Sequence, residues 1–336
     1  MYHLKLYNYM KLYPLKFNSI YLEKIWGGDK IKTILTKDYG DLDNCGESWE
    51  ISSIAEFESV ISNGDFKGKA LSKIIEEYKD NIVGKSTYEK FGNEFPLLVK
   101  FIDATADLSV QVHPNDYLAT KRHGGRGKSE IWYIIEADTN SQLISGFNKY
   151  VNKEEYIKTL NEKKIKDILN FEIVSKGDVF YIPSGRIHAI GKGILLAEIQ
   201  QTSDITYRIY DWDRIDDKGN KRELHTDLAV DAINYEFIDD YKTNYALNKF
   251  VEGRVDVIET PFFSFNIISI TENIVLDYSR LDSFVIYICV EGLLSIDYYG
   301  DKLIDIKMGE VVLIPNSLNN IKLIPQKASK LLEITI

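Results

Sequence analysis

The fold is decided by one stretch of sequence, Gly177-Asp178-Val179-Phe180-Tyr181-Ile182-Pro183-Ser184-Gly185-Arg186-Ile187-His188. Its apolar centre predicts a short strand that follows a glycine turn and ends at proline, because proline cannot donate to a sheet ladder. The same spacing of glycine, five residues and proline recurs at Gly309–Pro315. This repeat predicts two related β-barrels in tandem, one in each half of the chain.

The length and composition agree with that architecture. A chain of 336 residues exceeds what one hydrophobic core usually serves, so two domains are expected. The 22 Tyr and 15 Phe favour strands. We therefore predict a mainly β protein with a few short helices, and the polar segment Asp239–Arg254 is the candidate boundary. Residues 1–240 would form the catalytic domain, and residues 241–336 a C-terminal barrel without metal.

Two segments have helical spacing. Ala70–Tyr78 repeats apolar residues at intervals of three and four. Lys153–Leu169 is charged and amphipathic, and it follows Asn152, with Glu155 three residues later, which is typical of a capping box. Neither segment carries residues with an evident chemical role, so we expect both to be structural.

Charge and cysteine content exclude several classes of protein. The net charge of −10 argues against a nucleic-acid partner, because such proteins usually carry a basic excess. The two cysteines, Cys45 and Cys289, are far apart, which favours a reducing compartment. No stretch is long and apolar enough to span a bilayer. We expect a cytoplasmic protein without a membrane partner, in which any phosphorylated substrate meets a locally basic pocket.

The segment Gly177–His188 also contains a motif that is typical of metal binding. It resembles the second cupin motif, Gly-x5-Pro-x-Gly-x2-His, at every defined position. This resemblance implies a cupin (jelly-roll) barrel in which His188 begins a strand and points inward to a metal. The second copy continues from Pro315 through Asn316 to Asn320 without a histidine. The C-terminal barrel is therefore expected to bind no metal.

Further candidate ligands lie upstream of this motif. The segment Leu108–His113 alternates apolar and polar residues, so as a strand it sends Ser109, Gln111 and His113 to one face. Gln111 and His113 could then reach one metal ion, although an exposed polar face explains the pattern equally well. Glu130 begins the next apolar run, where a solvated carboxylate is the alternative.

Together with His188, these side chains form a mixed nitrogen and oxygen ligand set. Imidazole and carboxylate ligands without a thiolate suit Zn²⁺ and also tolerate Fe²⁺, Mn²⁺ or Co²⁺. Glu130 would be the only anionic ligand, which leaves positive charge on the site to act on substrate oxygens. We expect one Zn²⁺ per chain, held by Gln111, His113, Glu130 and His188.

Two later strands present polar residues on one face. Glu198 and Gln200 alternate in one, and Arg208 shares a face with Thr206 and Tyr210 in the other, which Asp204 precedes. Burying a carboxylate and a guanidinium is costly unless they are paired or functional. A structural ion pair between Glu198 and Arg208 is the alternative to a catalytic role.

At this point the chain resembles type I phosphomannose isomerases in their short two-barrel form, roughly over residues 15–214. Six sequence blocks carry the resemblance: Glu23–Gly28, Gly46–Ser52, Pro96–Asp103, Gln111–Asp116, Gly127–Glu130 and Gly177–Arg214. The family's zinc ligands fall on the four residues named above. Its active-site arginine falls on Arg208 and its acidic residue ten positions earlier on Glu198. Ser109, Lys100 and Lys128 are implied contacts of the sugar phosphate.

The resemblance implies an aldose–ketose isomerisation of mannose 6-phosphate and fructose 6-phosphate through a cis-enediol, in carbohydrate metabolism. Glu198 is the candidate base, and we expect partial burial to raise its pKa toward neutrality. Arg208 and zinc would stabilise the enediolate. Asp204 or Lys128 would help to open the sugar ring.

Two other functions fit the same residues. Two histidines and one carboxylate are also the ligand set of Fe-dependent oxygenases. A non-catalytic cupin that binds a sugar phosphate would keep the pocket without turnover. The fourth ligand Gln111 and the presence of both Glu198 and Arg208 argue against these alternatives.

Overall fold

A computed structural model describes residues 11–215, 219–245 and 252–336. The predicted domain boundary at Asp239–Arg254 thus lies partly outside the described residues. The elements of the N-terminal part are, in chain order, β1 (Ile20–Gly28), α1 (Lys30–Thr33), β2 (Cys45–Ile51), a 3₁₀ turn (Ala55–Phe57), α2 (Leu71–Tyr78), α3 (Asp80–Val83), α4 (Lys85–Phe91), β3 (Leu97–Ala104), β4 (Val110–Val112), α5 (Asp116–His123), β5 (Glu130–Ala137), β6 (Gln142–Phe147), α6 (Lys153–Asn161), a second 3₁₀ turn (Ile165–Ile168), β7 (Leu169–Ile173), β8 (Val179–Ile182), β9 (His188–Ala189), β10 (Ile194–Gln201), β11 (Tyr207–Tyr210) and α7 (Thr226–Ala232).

The remaining strands follow Gly253 and pair with one another. They are β12 (Gly253–Glu259), β13 (Ser264–Ile270), β14 (Ile274–Asp277), β15 (Val285–Asp297), β16 (Leu303–Lys307), β17 (Val311–Ile314) and β18 (Asn320–Thr335). The predicted fold class, mainly β with tandem cupin barrels and a few short helices, is confirmed. Among the described residues, no helix has both the length and the apolar character needed to cross a membrane.

The first barrel consists of two antiparallel sheets. One has the order β1-β2-β3-β10-β5-β8 and the other β11-β4-β9-β6-β7. Apolar side chains from both sheets, among them Ile102, Trp132 and Leu143, fill the space between them. The outer face of the second sheet is covered by α6 and α7, whose Tyr156 and Ala229 join its apolar core. The barrel is thus closed on that side by helices.

Successive side chains of β3, β5 and β10 point alternately to the two faces of the sheet, so these strands contribute to two apolar cores. On β3, Val99 and Phe101 point outward, whereas Ile102 points into the barrel. The same period-two pattern holds on β5 and β10, because successive side chains of a strand lie on opposite faces. Outward-facing residues pack against the second barrel, where the Phe95 and Phe284 rings lie 4.6 Å apart. By the same alternation Lys100 on β3 and Glu198 and Gln200 on β10 face the barrel interior.

The glycine–proline repeat occupies equivalent positions in both barrels. Gly177 and Gly309 have φ values of +91° and +85°, a conformation that glycine adopts without strain. Each precedes a short strand, β8 or β17, which pairs with the strand β5 or β15 of its own barrel. The repeated motif is therefore a repeated structural unit, as predicted.

This equivalence extends across the sheets. The cross-strand neighbours in the first barrel are Lys100, Glu198, Trp132 and Phe180. The corresponding neighbours in the second barrel are Asn266, Glu333, Tyr287 and Val312. Since Phe180 and Val312 each follow the repeat glycine by three positions, the carboxylate of Glu333 occupies the position of Glu198.

Two predicted boundaries differ from the structure. The helix predicted over Lys153–Leu169 ends at Asn161, because Lys163 adopts a positive φ of 58° and Leu169 pairs with Phe147 in the sheet. Its start is confirmed, since Asn152 Oδ1 accepts the Glu155 N–H over 2.8 Å. The strand predicted over Leu108–His113 covers only Val110–Val112.

Candidate metal centre and active site

Three buried side chains converge inside the first barrel. His113 follows the end of β4, Glu130 begins β5 and His188 begins β9. Glu130 Oε2 lies 3.5 Å from His113 Nε2, and Glu130 Oε1 lies 3.4 Å from His188 Nε2. One ligand atom from each of the three lies within 4.8 Å of the other two. These residues could hold a metal ion.

The facing atoms make no hydrogen bonds within the described structure. Nε2 of both histidines and both carboxylate oxygens of Glu130 are buried without such a partner. The other ring nitrogens are engaged: Nδ1 of His113 lies 3.1 Å from the Ile205 carbonyl, and Nδ1 of His188 lies 2.8 Å from the Arg186 carbonyl. A carbonyl only accepts, so each Nδ1 carries the proton and each Nε2 presents a lone pair to the cluster.

Gln111 lies beside this cluster on β4. It is the cross-strand partner of His188 on one side and of Arg208 on the other. Directly opposed residues share a face of a sheet, so the Gln111 amide projects to the same side as the His188 ring. The structure thus brings His113, Glu130 and His188 together and places Gln111 as the cross-strand neighbour of His188.

Burial sets the protonation of the cluster. It lowers the pKa of His113 well below its usual range and the pKa of His188 to about 3, so both rings are neutral. Burial raises the pKa of Glu130 to about 7, although Lys128 opposes the shift. Lys128 Nζ lies 3.2 Å from Glu130 Oε2. Burial thus outweighs Lys128 at Glu130, and a bound cation would add positive charge that favours the ionised carboxylate.

A second group of polar side chains lies on β3, β10 and β5, in the same sheet as Glu130. Lys100 Nζ lies 3.1 Å from Glu198 Oε1 and 3.0 Å from Gln200 Oε1. The indole N–H of Trp132 donates to Glu198 Oε2 over 3.0 Å. Lys100 also lies over the ring of Trp49, 4.9 Å from its centroid. Both oxygens of Glu198 therefore have donors.

The expected pKa of Glu198 is wrong in direction. Burial does raise it, but Lys100, Lys128 and the Trp132 indole together outweigh burial and lower the pKa to about 2. The prediction considered only the loss of solvent and not the two lysines. Glu198 is thus ionised throughout the physiological range.

Arg208 lies on β11 and is not the partner of Glu198. Its Nη1 donates to the Glu223 carbonyl over 2.7 Å, and its Nε is buried without a hydrogen-bond partner among the described residues. Burial lowers the pKa of the guanidinium, and Arg222 adds to the shift. The structural alternative of a Glu198–Arg208 ion pair is contradicted, since Lys100 takes that position.

Two predicted residues lie apart from these contacts. Asp204 is exposed in the loop before β11 and borders a surface cavity of about 480 Å³, together with Glu94 and Arg126. The contacts of the cluster, as described above, do not include it. Ser109 is buried immediately before β4. The described contacts therefore join His113, Glu130, His188 and Lys128 in one group and Lys100 and Glu198 in another, whereas Asp204 lies at the surface.

Sequence reasoning missed two aromatic residues of this site. Trp132 donates to Glu198 and contacts the His188 ring edge-on, with 5.4 Å between centroids. Period two from Glu130 predicts the inward direction of Trp132, so this signal was present in the sequence. Trp49 faces Lys100 through β2–β3 pairing, which only the sheet order reveals.

The chain is similar to known proteins both in sequence and in structure. A model of the type I phosphomannose isomerase catalytic domain matches residues 14–130. Mannose-6-phosphate isomerase ManA of Bacillus subtilis is 35% identical over 92% of this chain and 95% of its own length. Mannose-6-phosphate isomerase of Streptococcus mutans is 41% identical over 66% of this chain and 67% of its own length. The crystal structure of the mannose 6-phosphate isomerase from Bacillus subtilis superposes with a TM-score of 0.84, at 31% identity, and covers 96% of this chain and 99% of that one.

Proposed function

The chain belongs to the type I phosphomannose isomerases, and on that premise we propose that it interconverts mannose 6-phosphate and fructose 6-phosphate with one zinc ion held in the buried His113–Glu130–His188 cluster. The observation that carries the proposal is the set of four ligand atoms that face one another without hydrogen bonds. Native proteins rarely leave such buried atoms without a partner, so their convergence supports a cation bound at this position.

The donor set supports zinc and its ligand arrangement. Two neutral imidazole nitrogens and a carboxylate match the ligands of catalytic zinc sites, which keep one position open. Gln111 is the proposed fourth ligand because it shares a face with His188. Carbonyl acceptors orient both rings, as is common behind zinc-bound histidines. When bound, zinc supplies a Lewis acid that polarises the substrate oxygens.

The chain's own side chains supply the remaining chemistry. Glu198, held ionised by Lys100 and the Trp132 indole, accepts the proton that moves between C1 and C2 of the open-chain sugar. Arg208 provides fixed positive charge for the cis-enediolate that follows. Lys100, Lys128 and Ser109, which are all buried, contact the sugar phosphate. They supply the locally basic pocket that an acidic protein needs.

Two residues are candidates for opening the sugar ring, Lys128 and Asp204. Lys128 is the stronger candidate, because it reaches the cluster through Glu130. Asp204 would act only if substrate binding brought it inward from its exposed position. An Asp204→Asn variant with normal turnover of the ring-opened substrate but slowed turnover of the cyclic form would assign the step to Asp204.

The two barrels have different proposed roles. Residues 1–240 form the catalytic domain, and residues 241–336 form a metal-free barrel that packs against it. In the second barrel Val285 pairs with Ile314 as Glu130 pairs with Ile182, so an apolar residue replaces the carboxylate ligand. Asn320, five residues after Pro315, stands where His188 follows Pro183. The free, buried cysteines support a cytoplasmic location.

A coupled assay tests the function. Enzyme purified without added metal is assayed with mannose 6-phosphate before and after chelation, and its metal content is measured by mass spectrometry. Turnover that chelation abolishes and Zn²⁺ restores is the expected result. Iron in the purified protein, with oxygen consumption and no isomerisation, would instead support the oxygenase alternative. Substrate binding without turnover at full zinc content would indicate the non-catalytic alternative.

A further inference from the structure

The segment Glu223–His225 holds Arg208 at two points. The Arg208 amide N–H donates to Nδ1 of His225 over 3.1 Å, and the His225 N–H donates back to the Arg208 carbonyl over 2.7 Å. Two residues earlier, the Glu223 carbonyl accepts from Nη1 of Arg208 over 2.7 Å. The backbone and the guanidinium of Arg208 are therefore tied to the same three residues.

The side chain of His225 hydrogen-bonds to Arg208 and does not cap the helix α7 that follows it. His225 is the N-cap residue of α7, but its side chain makes no capping hydrogen bond. Its Nδ1 accepts the Arg208 N–H, so the proton of the neutral ring lies on Nε2. The Tyr207 ring lies beside the imidazole, with 6.4 Å between centroids.

The helix that follows His225 is firmly anchored. Arg122 of α5 donates to the Leu228 carbonyl over 3.1 Å and pairs with Asp231 over 2.8 Å. Ala229 and Ala232 of α7 lie in the apolar core on the outer face of the sheet. His225 is thus attached to a rigid element, which makes it a fixed reference for the strand that carries Arg208.

We propose that His225 is a positioning residue, which fixes Arg208 so that the Glu223 carbonyl holds the guanidinium in one orientation. This inference rests on the proposed role of Arg208 in catalysis. Arg208 is the cross-strand neighbour of Gln111, so its orientation determines where positive charge lies relative to the metal cluster. Charge stabilisation is effective only when the donor is already oriented, and small displacements reduce it strongly.

Replacement of His225 distinguishes this role from simple packing. In His225→Leu the acceptor is lost, and we expect kcat to fall about tenfold with little change in KM, because the orientation matters chiefly in the transition state. His225→Asn should restore most of the activity, since the amide Oδ1 can replace Nδ1 as acceptor. The matched control is His123→Leu, because His123 contacts the Tyr207 hydroxyl and not Arg208, and its kcat should remain normal.

Two further measurements make the test decisive. The Arg208 amide should exchange hydrogen faster in His225→Leu and regain protection in His225→Asn. In an Arg208→Ala background, His225→Leu should cause no further loss of kcat. An equal loss in that background, or a protected amide with normal kcat in His225→Leu, would overturn the proposal. An inactive wild type would refute the proposed function alone, because amide exchange still reports whether His225 holds Arg208.

Discussion

Lys100 and Glu198, which are 98 residues apart in the sequence, form a buried ion pair with 3.1 Å between Nζ and Oε1. They are direct cross-strand partners on β3 and β10. Together with Lys128 and the Trp132 indole, this pair outweighs the effect of burial on Glu198, whose pKa is lowered to about 2. The site therefore has an ionised carboxylate in one wall and a carboxylate with a raised pKa, Glu130, among the proposed metal ligands.

The first prediction concerns Lys100→Met. Removing the ammonium leaves burial as the main influence, so the pKa of Glu198 should rise. Because the carboxylate is active only when ionised, the acidic limb of the kcat/KM profile should move to higher pH. The measurement is kcat/KM for mannose 6-phosphate between pH 5 and 9 (about the range over which such enzymes can be assayed). Lys69→Met, which removes an exposed lysine paired with Glu77, is the control and should leave the profile unchanged. An unaltered acidic limb in Lys100→Met would contradict the assignment.

The second prediction concerns His188→Ala. Loss of an imidazole ligand should reduce bound zinc from about one ion per chain to a small fraction, with a parallel loss of turnover. Zinc content of the purified protein, measured together with activity, checks this. His123→Ala serves as the histidine control and should keep its zinc, because its ring contacts Tyr207. Full zinc occupancy in His188→Ala would show that the metal lies elsewhere.

The third prediction concerns Arg208. Arg208→Ala should lower kcat on the order of 10²–10³, as when one preorganised charge-stabilising donor is removed. Arg208→Lys should recover only part of the rate, because an ammonium cannot reproduce the planar guanidinium. Zinc content and folding should be unchanged. A well-folded, zinc-loaded Arg208→Ala enzyme with normal kcat would leave Arg208 with a structural role only.

The fourth prediction compares the two equivalent carboxylates. Glu198→Gln removes the proposed base and should lower kcat of the folded enzyme by about 10²–10⁴. It should also destabilise the protein, because it leaves the buried Lys100 ammonium without its counter-charge. Glu333→Gln should leave kcat unchanged but destabilise the protein by about 1–3 kcal/mol, because Glu333 accepts from Tyr278, Arg254 and Asn266 inside the second barrel. Kinetics and urea unfolding of both variants measure the difference. Loss of turnover in a folded Glu333→Gln enzyme would show that the second barrel takes part in catalysis.

Local patterns predicted much of this molecule. The glycine–proline spacing predicts a turn and a strand in each barrel, and both are confirmed. Period two places Glu198 and Gln200 on one face, which is confirmed by their shared contact with Lys100. The residues after Pro183 place a histidine at the start of β9, beside the two upstream ligand candidates. These predictions succeeded because each depends on backbone conformation within one short segment.

Other features depended on contacts that no local pattern contains. The helix predicted over Lys153–Leu169 ends early because Leu169 pairs with Phe147, a tertiary preference that outweighs helical spacing. Asp204 precedes the strand that carries Arg208, as the sequence indicated, yet its side chain is exposed in the loop. The hydrogen bond between Arg208 and His225 requires a chain reversal of 17 residues, and neither residue's type reveals it.

By itself, the sequence determined the fold class, the family and the identity of the four candidate ligands, since motif spacing and strand alternation specify which side chains share a face. Only the tertiary structure decided the charge states of Glu198 and Glu130 and the side chains with which they pair. The pKa of Glu198 falls, and that of Glu130 rises, because each depends on the balance between burial and the particular lysines that sheet pairing brings near. That balance is a property of three-dimensional distances, and residues far apart in the chain supply it.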